Sequence, residues 1–271
     1  MSQSELFCWN NHLNFQMELS DQRMTQFETV WIEELLHRFE QKQPSILNVK
    51  VFWNQFSELL KSDQTEGETA HLLSEVLSDS GFKALIKQFA VDGLTEANAM
   101  FAILPKLEAK VRDPVMRILL DEFGCGNPKR VHSALFADLL HELGLSSSLR
   151  DYIDVTNIES FAFVNIYHWL TKRAPSLDYY LGALAYTEAI IPHAFNPYAN
   201  ACKRLGIANS AYFTEHIHID TFHLGEAKNA IFARSSSKEA DFCKMWLGVM
   251  LAKFTSEEAT KAAVKHARKF Q

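Results

Sequence analysis

His216, Asp220 and His223 stand four and three residues apart in the stretch YFTEHIHIDTFH. In a helix, at about 100° per residue, these positions fall within about 60° of one another, so the three side chains share one face. Two imidazoles flanking a carboxylate on a rigid face can surround a metal ion, and such N/O donors suit iron or manganese better than calcium or a thiolate-preferring ion. A solvated polar face accounts for the same residues, because the stretch is strongly polar. His218 lies about 200° from His216 and points elsewhere.

Two further segments hold candidate donors. In DEFGCGNPKRVH, Glu122 closes one helix, the glycines let the chain reverse, and His132 comes one to two turns into the next helix, so both side chains can converge on one point. A surface glutamate and a histidine packed between helices would leave the same trace. In LGALAYTEAIIP the lone carboxylate of Glu188 lies among apolar residues, and a buried carboxylate needs a partner. A metal would supply one, as would a salt bridge or an exposed position. Helical bundles build dimetal sites by projecting Glu and His inward from facing helices, and three such segments occur here.

These residues need helices to position them. Apolar residues recur at helical spacing over roughly 20–41 through Trp31, Ile32, Leu35, Leu36 and Phe39. Further helices are predicted over 47–62 and 67–91. Asp113-Pro114 reads as a helix start, with the helix stopping near Gly124; Asn127-Pro128 reads as the start of the next, which Gly144 closes. Helices over 157–172 and 176–191 follow, the second ended by Pro192. A helix over 198–205, one from about 211 carrying the histidines, and a helical C-terminal third from about 236 to 269 complete the chain. With no repeat, linker or low-complexity tract, 1–271 reads as one helical domain, in which 1–65 could form an N-terminal helical extension.

Composition narrows the function classes. Of 271 residues 47% are hydrophobic, enough for a sizeable core, while ten Gly and seven Pro with little polar alternation argue against strands. The net charge of −6 is spread without a basic stripe, so nucleic acid is not an expected partner. No apolar run reaches the ~18 residues that span a bilayer, and MSQSELFCWNNHLNF lacks a cationic start before an apolar core. A cytoplasmic protein that meets no membrane is expected. Cys8, Cys125, Cys202 and Cys243 form no CxxC, which suits reduced thiols and leaves any metal to nitrogen and oxygen donors.

DEFGCGNPKRVHSALF, the isolated Glu188 and EHIHIDTFH, in that order, resemble the ligand motifs of the heme-oxygenase-like diiron oxidases and oxygenases. The spacings are compatible: ten residues from Glu122 to His132 and 28 from Glu188 to His216. The resemblance covers roughly 90–235, which would be the metal-binding core.

The resemblance implies an all-α fold, a heme-oxygenase-like bundle of about seven core helices, here with extra N-terminal helices. It implies a weakly held pair of iron ions cycling between Fe(II) and Fe(III), O2 as co-substrate, no heme, an external reductant and a small-molecule substrate. Manganese is compatible with the same donors, and a homodimer is one arrangement open to such a chain. Glu122, His132, Glu188, His216, Asp220 and His223 become the iron ligands and catalytic residues, with Glu188 a candidate bridge. Members with N-oxygenase activity carry one more carboxylate ahead of the first motif. Glu96, 26 residues upstream of Glu122 in GLTEANAMF, stands where that ligand would be; an exposed first-turn residue of a helix capped by Thr95 is the alternative, and Glu108 a weaker substitute. Oxidation of an amine is therefore the expected chemistry, with oxidative decarboxylation or C–C cleavage of a fatty or amino acid as the alternative and an iron-binding bundle as the non-enzymatic one. Phe101, Phe123, Phe136, Tyr186, Tyr212 and Phe222 are candidates to wall the site.

Overall fold

Three long helices set the frame. The first of them opens on its cap: Ser176 accepts the amide N–H of Asp178 and starts a helix that runs unbroken to Leu205, where Gly206 at φ 73° closes it. The computed structural model of the chain describes residues 1–13, 21–41, 44–64 and 67–271. In chain order the helices are α1 (Gln3–Asn10), α2 (Asp21–Glu40), α3 (Val49–Asp63), α4 (Glu68–His71), α5 (Asp79–Gln88), α6 (Ala90–Gly93), α7 (Ala109–Glu122), α8 (His132–Glu142), α9 (Ile158–Lys172), α10 (Leu177–Leu205), α11 (Ala211–Arg234) and α12 (Phe242–Ala267). No strand occurs among the described residues, so the fold is all-α as the composition required.

α10 packs along both α11 and α12, α12 also packs on α9, and α7 packs on α11. The contact between α10 and α12 is a crossing of two glycines. A Cβ on Gly182 would stand 1.8 Å from the Met245 carbonyl oxygen, and one on Gly248 would stand 1.8 Å from that of Tyr179. Only glycine lets the two backbones approach so closely. One buried cluster surrounds this crossing and includes Phe52 and Phe56 of α3, Val115 and Ile118 of α7, and Ile231 of α11. A second gathers Phe7 of α1, Phe82 of α5, Phe136 and Leu139 of α8, and Phe213 of α11. Helices α1 to α3 thus share their cores with the rest of the chain. No helix among the described residues is long and apolar enough to cross a membrane.

Four predicted boundaries are corrected. The helix expected over 67–91 is broken: α4 runs into a π-helical turn at Leu72–Val76, and Ser78, accepting from the Gly81 N–H, starts α5 afresh. Asp113-Pro114 does not open a helix, because α7 begins at Ala109 with Pro114 inside its second turn. Asn127-Pro128 does not open one either. Phe123 and Val131 form an isolated antiparallel bridge that holds 124–130 as a closed loop, so α8 starts only at His132. Pro192 does not end α10, which passes through Pro192 and Pro197 to join the segment expected as a separate helix. Each proline forgoes one backbone bond, and packing against α11 keeps the helix continuous.

Candidate metal centre

α11 places His216, Asp220 and His223 on one buried face, each only 1% exposed, while His218 is exposed and rests against Phe222. α7 ends at Glu122. Gly124 at φ 70°, Cys125 at φ 49° and Gly126 at φ 85° then reverse the chain, a left-handed run that accounts for the glycines. His132, the first residue of α8, comes back over Glu122 with its Nδ1 2.9 Å from Oε2. Glu188 reaches in from α10, its Oε2 3.2 Å from His223 Nδ1. All six residues predicted from the three motifs therefore meet in one place.

Glu96 meets them as well. It occupies a turn after α6, followed by Ala97 at φ 60°, and its Oε1 lies 3.0 Å from His216 Nε2 and 3.3 Å from the Tyr212 hydroxyl, which donates to it. The alternative of an exposed first-turn residue is excluded, since Thr95 does not cap a helix and instead donates its hydroxyl to the Val91 carbonyl. Glu108 stands apart, exposed at the start of α7 and facing Arg234 at 3.8 Å.

The donors fall into two groups. Glu96, Glu122, His132 and His216 each offer one atom within 4.8 Å of the others, and so do Glu122, Asp220 and His223. Glu122 belongs to both. Whether a metal fits is tested by the polar atoms left over. Glu96 Oε2, His132 Nδ1, both carboxylate oxygens of Asp220, and His223 Nδ1 are buried and make no aligned hydrogen bond, although His223 Nδ1 lies 3.3 Å from Asp220 Oδ1 and 3.7 Å from Glu122 Oε1. These atoms lie close together without aligned hydrogen bonds, so each group could converge on one point. Buried polar atoms are rarely left so, and a cation at each point would satisfy them.

Electrostatics agree. Burial and the charge of Asp220 push the Glu188 carboxyl up to about 7, with His223 opposing. Burial acts to lower the imidazole of His216, but Glu96 overcomes it and raises His216 to about 10. His223 is likewise raised to about 11 against burial by Asp220 and Glu188. In the absence of a cation the site gathers protons to offset its carboxylates, and metal binding would displace them.

The walls differ from those expected. Phe136 and Tyr212 pack edge to face at 4.9 Å beside the histidines. Phe101 is half exposed and tilts against Phe123 at 4.8 Å, Phe222 is exposed, and the Tyr186 hydroxyl turns away to donate to Asp63. Phe195, which periodicity did not single out, takes their place at 5.1 Å from the His216 ring and 5.7 Å from Tyr212. It lies beyond Pro192, where α10 was expected to have ended. Asp92 was also passed over: burial and the charge of Glu96 raise its carboxyl to about 8, and its position four residues before Glu96 was the available signal.

A sequence profile of iron-containing redox enzymes matches residues 83–262. The chain belongs to that family, with its heme-oxygenase-like fold. It is similar to the nitrosourea synthase of Streptomyces achromogenes subsp. streptozoticus, at 31% identity over 153 residues, 53% of this chain and 31% of that protein. The chain thus spans about a third of the length of this relative.

Proposed function

We propose that this protein is an O2-activating non-heme diiron oxygenase that oxidises the nitrogen of a small amine. The observation that carries the reading is the shared carboxylate of Glu122, which joins two groups of N/O donors that include buried atoms without an aligned hydrogen bond. Glu96, His132 and His216 would complete one metal position, and Glu188, Asp220 and His223 the other. Iron bound there would supply the electrons for reducing O2 and open positions at which to hold it, an external reductant restoring it between turnovers.

The protein's own residues do the rest. His216 donates its Nδ1 proton to the Tyr212 carbonyl at 2.7 Å, leaving Nε2 to face Glu96. The rings of Phe136, Tyr212 and Phe195 border this position and keep water from it. Glu96 adds a carboxylate on that side. The name of the relative denotes a compound bearing a nitroso group on nitrogen, which supports nitrogen as the atom oxidised.

The test is anaerobic loading with Fe(II), elemental and Mössbauer analysis, then O2 uptake with a panel of amines, guanidines and fatty acids. About two irons per chain and uptake stimulated by amines are expected. Stimulation by fatty acids with none by amines would replace the reading with C–C cleavage, and iron binding with no O2 uptake would reduce the protein to an iron-holding bundle.

A further inference from the structure

Each histidine in a metal centre has two ring nitrogens, and what holds the second decides which one is free to bind. His216 is fixed by a backbone carbonyl, as above. His223 is fixed differently. Its Nε2 lies 3.3 Å from Oδ2 of Asp121, the residue just before Glu122, while its Nδ1 faces Glu122, Glu188 and Asp220. The second oxygen of Asp121 is also engaged: Oδ1 accepts from the Cys125 thiol at 3.0 Å. That thiol is set there by the left-handed backbone at Cys125, inside the loop that carries the chain from Glu122 to His132.

From this geometry we propose that Asp121 is a positioning residue for one metal position only, the one served by His223, Asp220, Glu188 and Glu122. Its carboxylate accepts a hydrogen bond from the Nε2–H, which leaves Nδ1 to face the metal position and makes the imidazole a more basic donor. At the other position His216 is held by the Tyr212 backbone carbonyl, and among the described residues no side-chain carboxylate outside the donor set bonds its ring. The two positions therefore depend on different supports. One is buried backbone; the other is a side chain that is 35% exposed, while the His223 it holds is 1% exposed. The inference rests on the dimetal reading above and adds to it a residue outside the donor set.

The experiment uses the full chain with Co(II) as probe, added anaerobically and followed by its absorption bands and by elemental analysis, alongside circular dichroism. Wild type should take up two equivalents. Asp121→Ala should keep its helicity and its affinity for one equivalent while affinity for the other falls on the order of 10–100-fold. Asp121→Asn, whose amide oxygen still accepts the Nε2 proton, should fall less. Equal affinity of Asp121→Ala and wild type for both equivalents would overturn the proposal, as would an equal loss at both. Wild type binding fewer than two Co(II) would overturn the dimetal reading itself. The role of Asp121 is then read from nitrogen-15 spectra of the Zn(II)-loaded protein: His223 bound through Nδ1, with an Nε2–H that is protected from exchange in wild type and exchanges faster with water in Asp121→Ala, supports it, and coordination through Nε2 refutes it.

Discussion

Gly182→Ala adds a single methyl group where α10 crosses α12, and it should be among the most damaging small substitutions in the chain. The new Cβ would stand 1.8 Å from the Met245 carbonyl oxygen and 2.6 Å from its carbon, where real Cβ contacts do not fall below 3.0 Å. The obstacle is backbone, so no rotamer change relieves it, and the helices must separate. Overpacking of a tight core costs about 1–3 kcal/mol. A clash with backbone belongs at the upper end, and about 3 kcal/mol corresponds to a fall in Tm of roughly 5–10 °C in a chain of this size. Glu188 lies less than two turns further along α10, about 9 Å along the axis, so separation of the helices should also weaken Co(II) binding. Gly248→Ala meets the Tyr179 carbonyl from the other side of the same crossing, and the double variant should lose less than the sum, because the first methyl has already parted the helices. Gly225→Ala is the control. Nothing lies within 4 Å of its added methyl, so in an exposed helix interior it should stabilise by up to about 1 kcal/mol. Urea denaturation of the metal-free proteins gives all four values. Gly182→Ala within about 0.5 kcal/mol of wild type would refute the crossing as a constraint.

Three more outcomes follow from named contacts. Glu122→Ala should lose both Co(II) equivalents whereas Asp220→Ala loses one, because only Glu122 belongs to both donor groups; retention of one tight equivalent by Glu122→Ala would contradict its shared position. Asp178→Ala should destabilise by about 1–3 kcal/mol in denaturant titrations, since it removes the buried carboxylate that the Arg234 guanidinium bonds at 2.9 and 3.3 Å and leaves that guanidinium the Glu239 carbonyl at 2.9 Å. His168 is held down to about 3 by burial, with Lys172 and Arg173 adding to the effect; the unfolded chain then binds the extra proton below about pH 6.5, so stability is lost as pH falls through that window at up to about 1.4 kcal/mol per unit, and His168→Gln should show a shallower decline between pH 6.5 and 4.5 than wild type.

How far the site could be read from sequence depended on the range over which each signal acts. His216, Asp220 and His223 share one helix, so their common face follows from helical geometry alone. Glu188 was legible as a charge in an apolar helix, which requires a partner whatever the fold. Glu122 and His132 needed the chain to reverse, and Gly124 and Gly126 announced that reversal. The errors have a common cause. Pro128 and Pro192 read as helix boundaries because a proline's local preference is strong, yet the Phe123 and Val131 bridge delays α8, and packing on α11 carries α10 through Pro192. The second error hid Phe195 from the site. Asp121 was invisible for another reason: its role depends on how the α7 end meets α11 in space, which no pattern within one segment encodes.

The same contacts show how the fold tolerates such a centre. Four carboxylates, Glu96, Glu122, Glu188 and Asp220, crowd three imidazoles in a buried volume, which without cations is met only by protonation, as the raised Glu188, His216 and His223 record. That arrangement cannot itself stabilise the bundle. The helices that carry it are instead fixed away from the site. α11 is tied at its C-terminal end, where Arg234 bonds Asp178, and Asp178 in turn accepts the Asp241 amide that leads into α12. α10 is locked less than two turns before Glu188 by the glycine crossing. With both helices anchored beyond the donors, the donors can be chosen for metal geometry rather than for packing. Substitutions at the anchors should therefore act mainly on stability, and substitutions among the donors mainly on metal affinity. Gly182 is the instructive exception, because α10 transmits its displacement directly to Glu188.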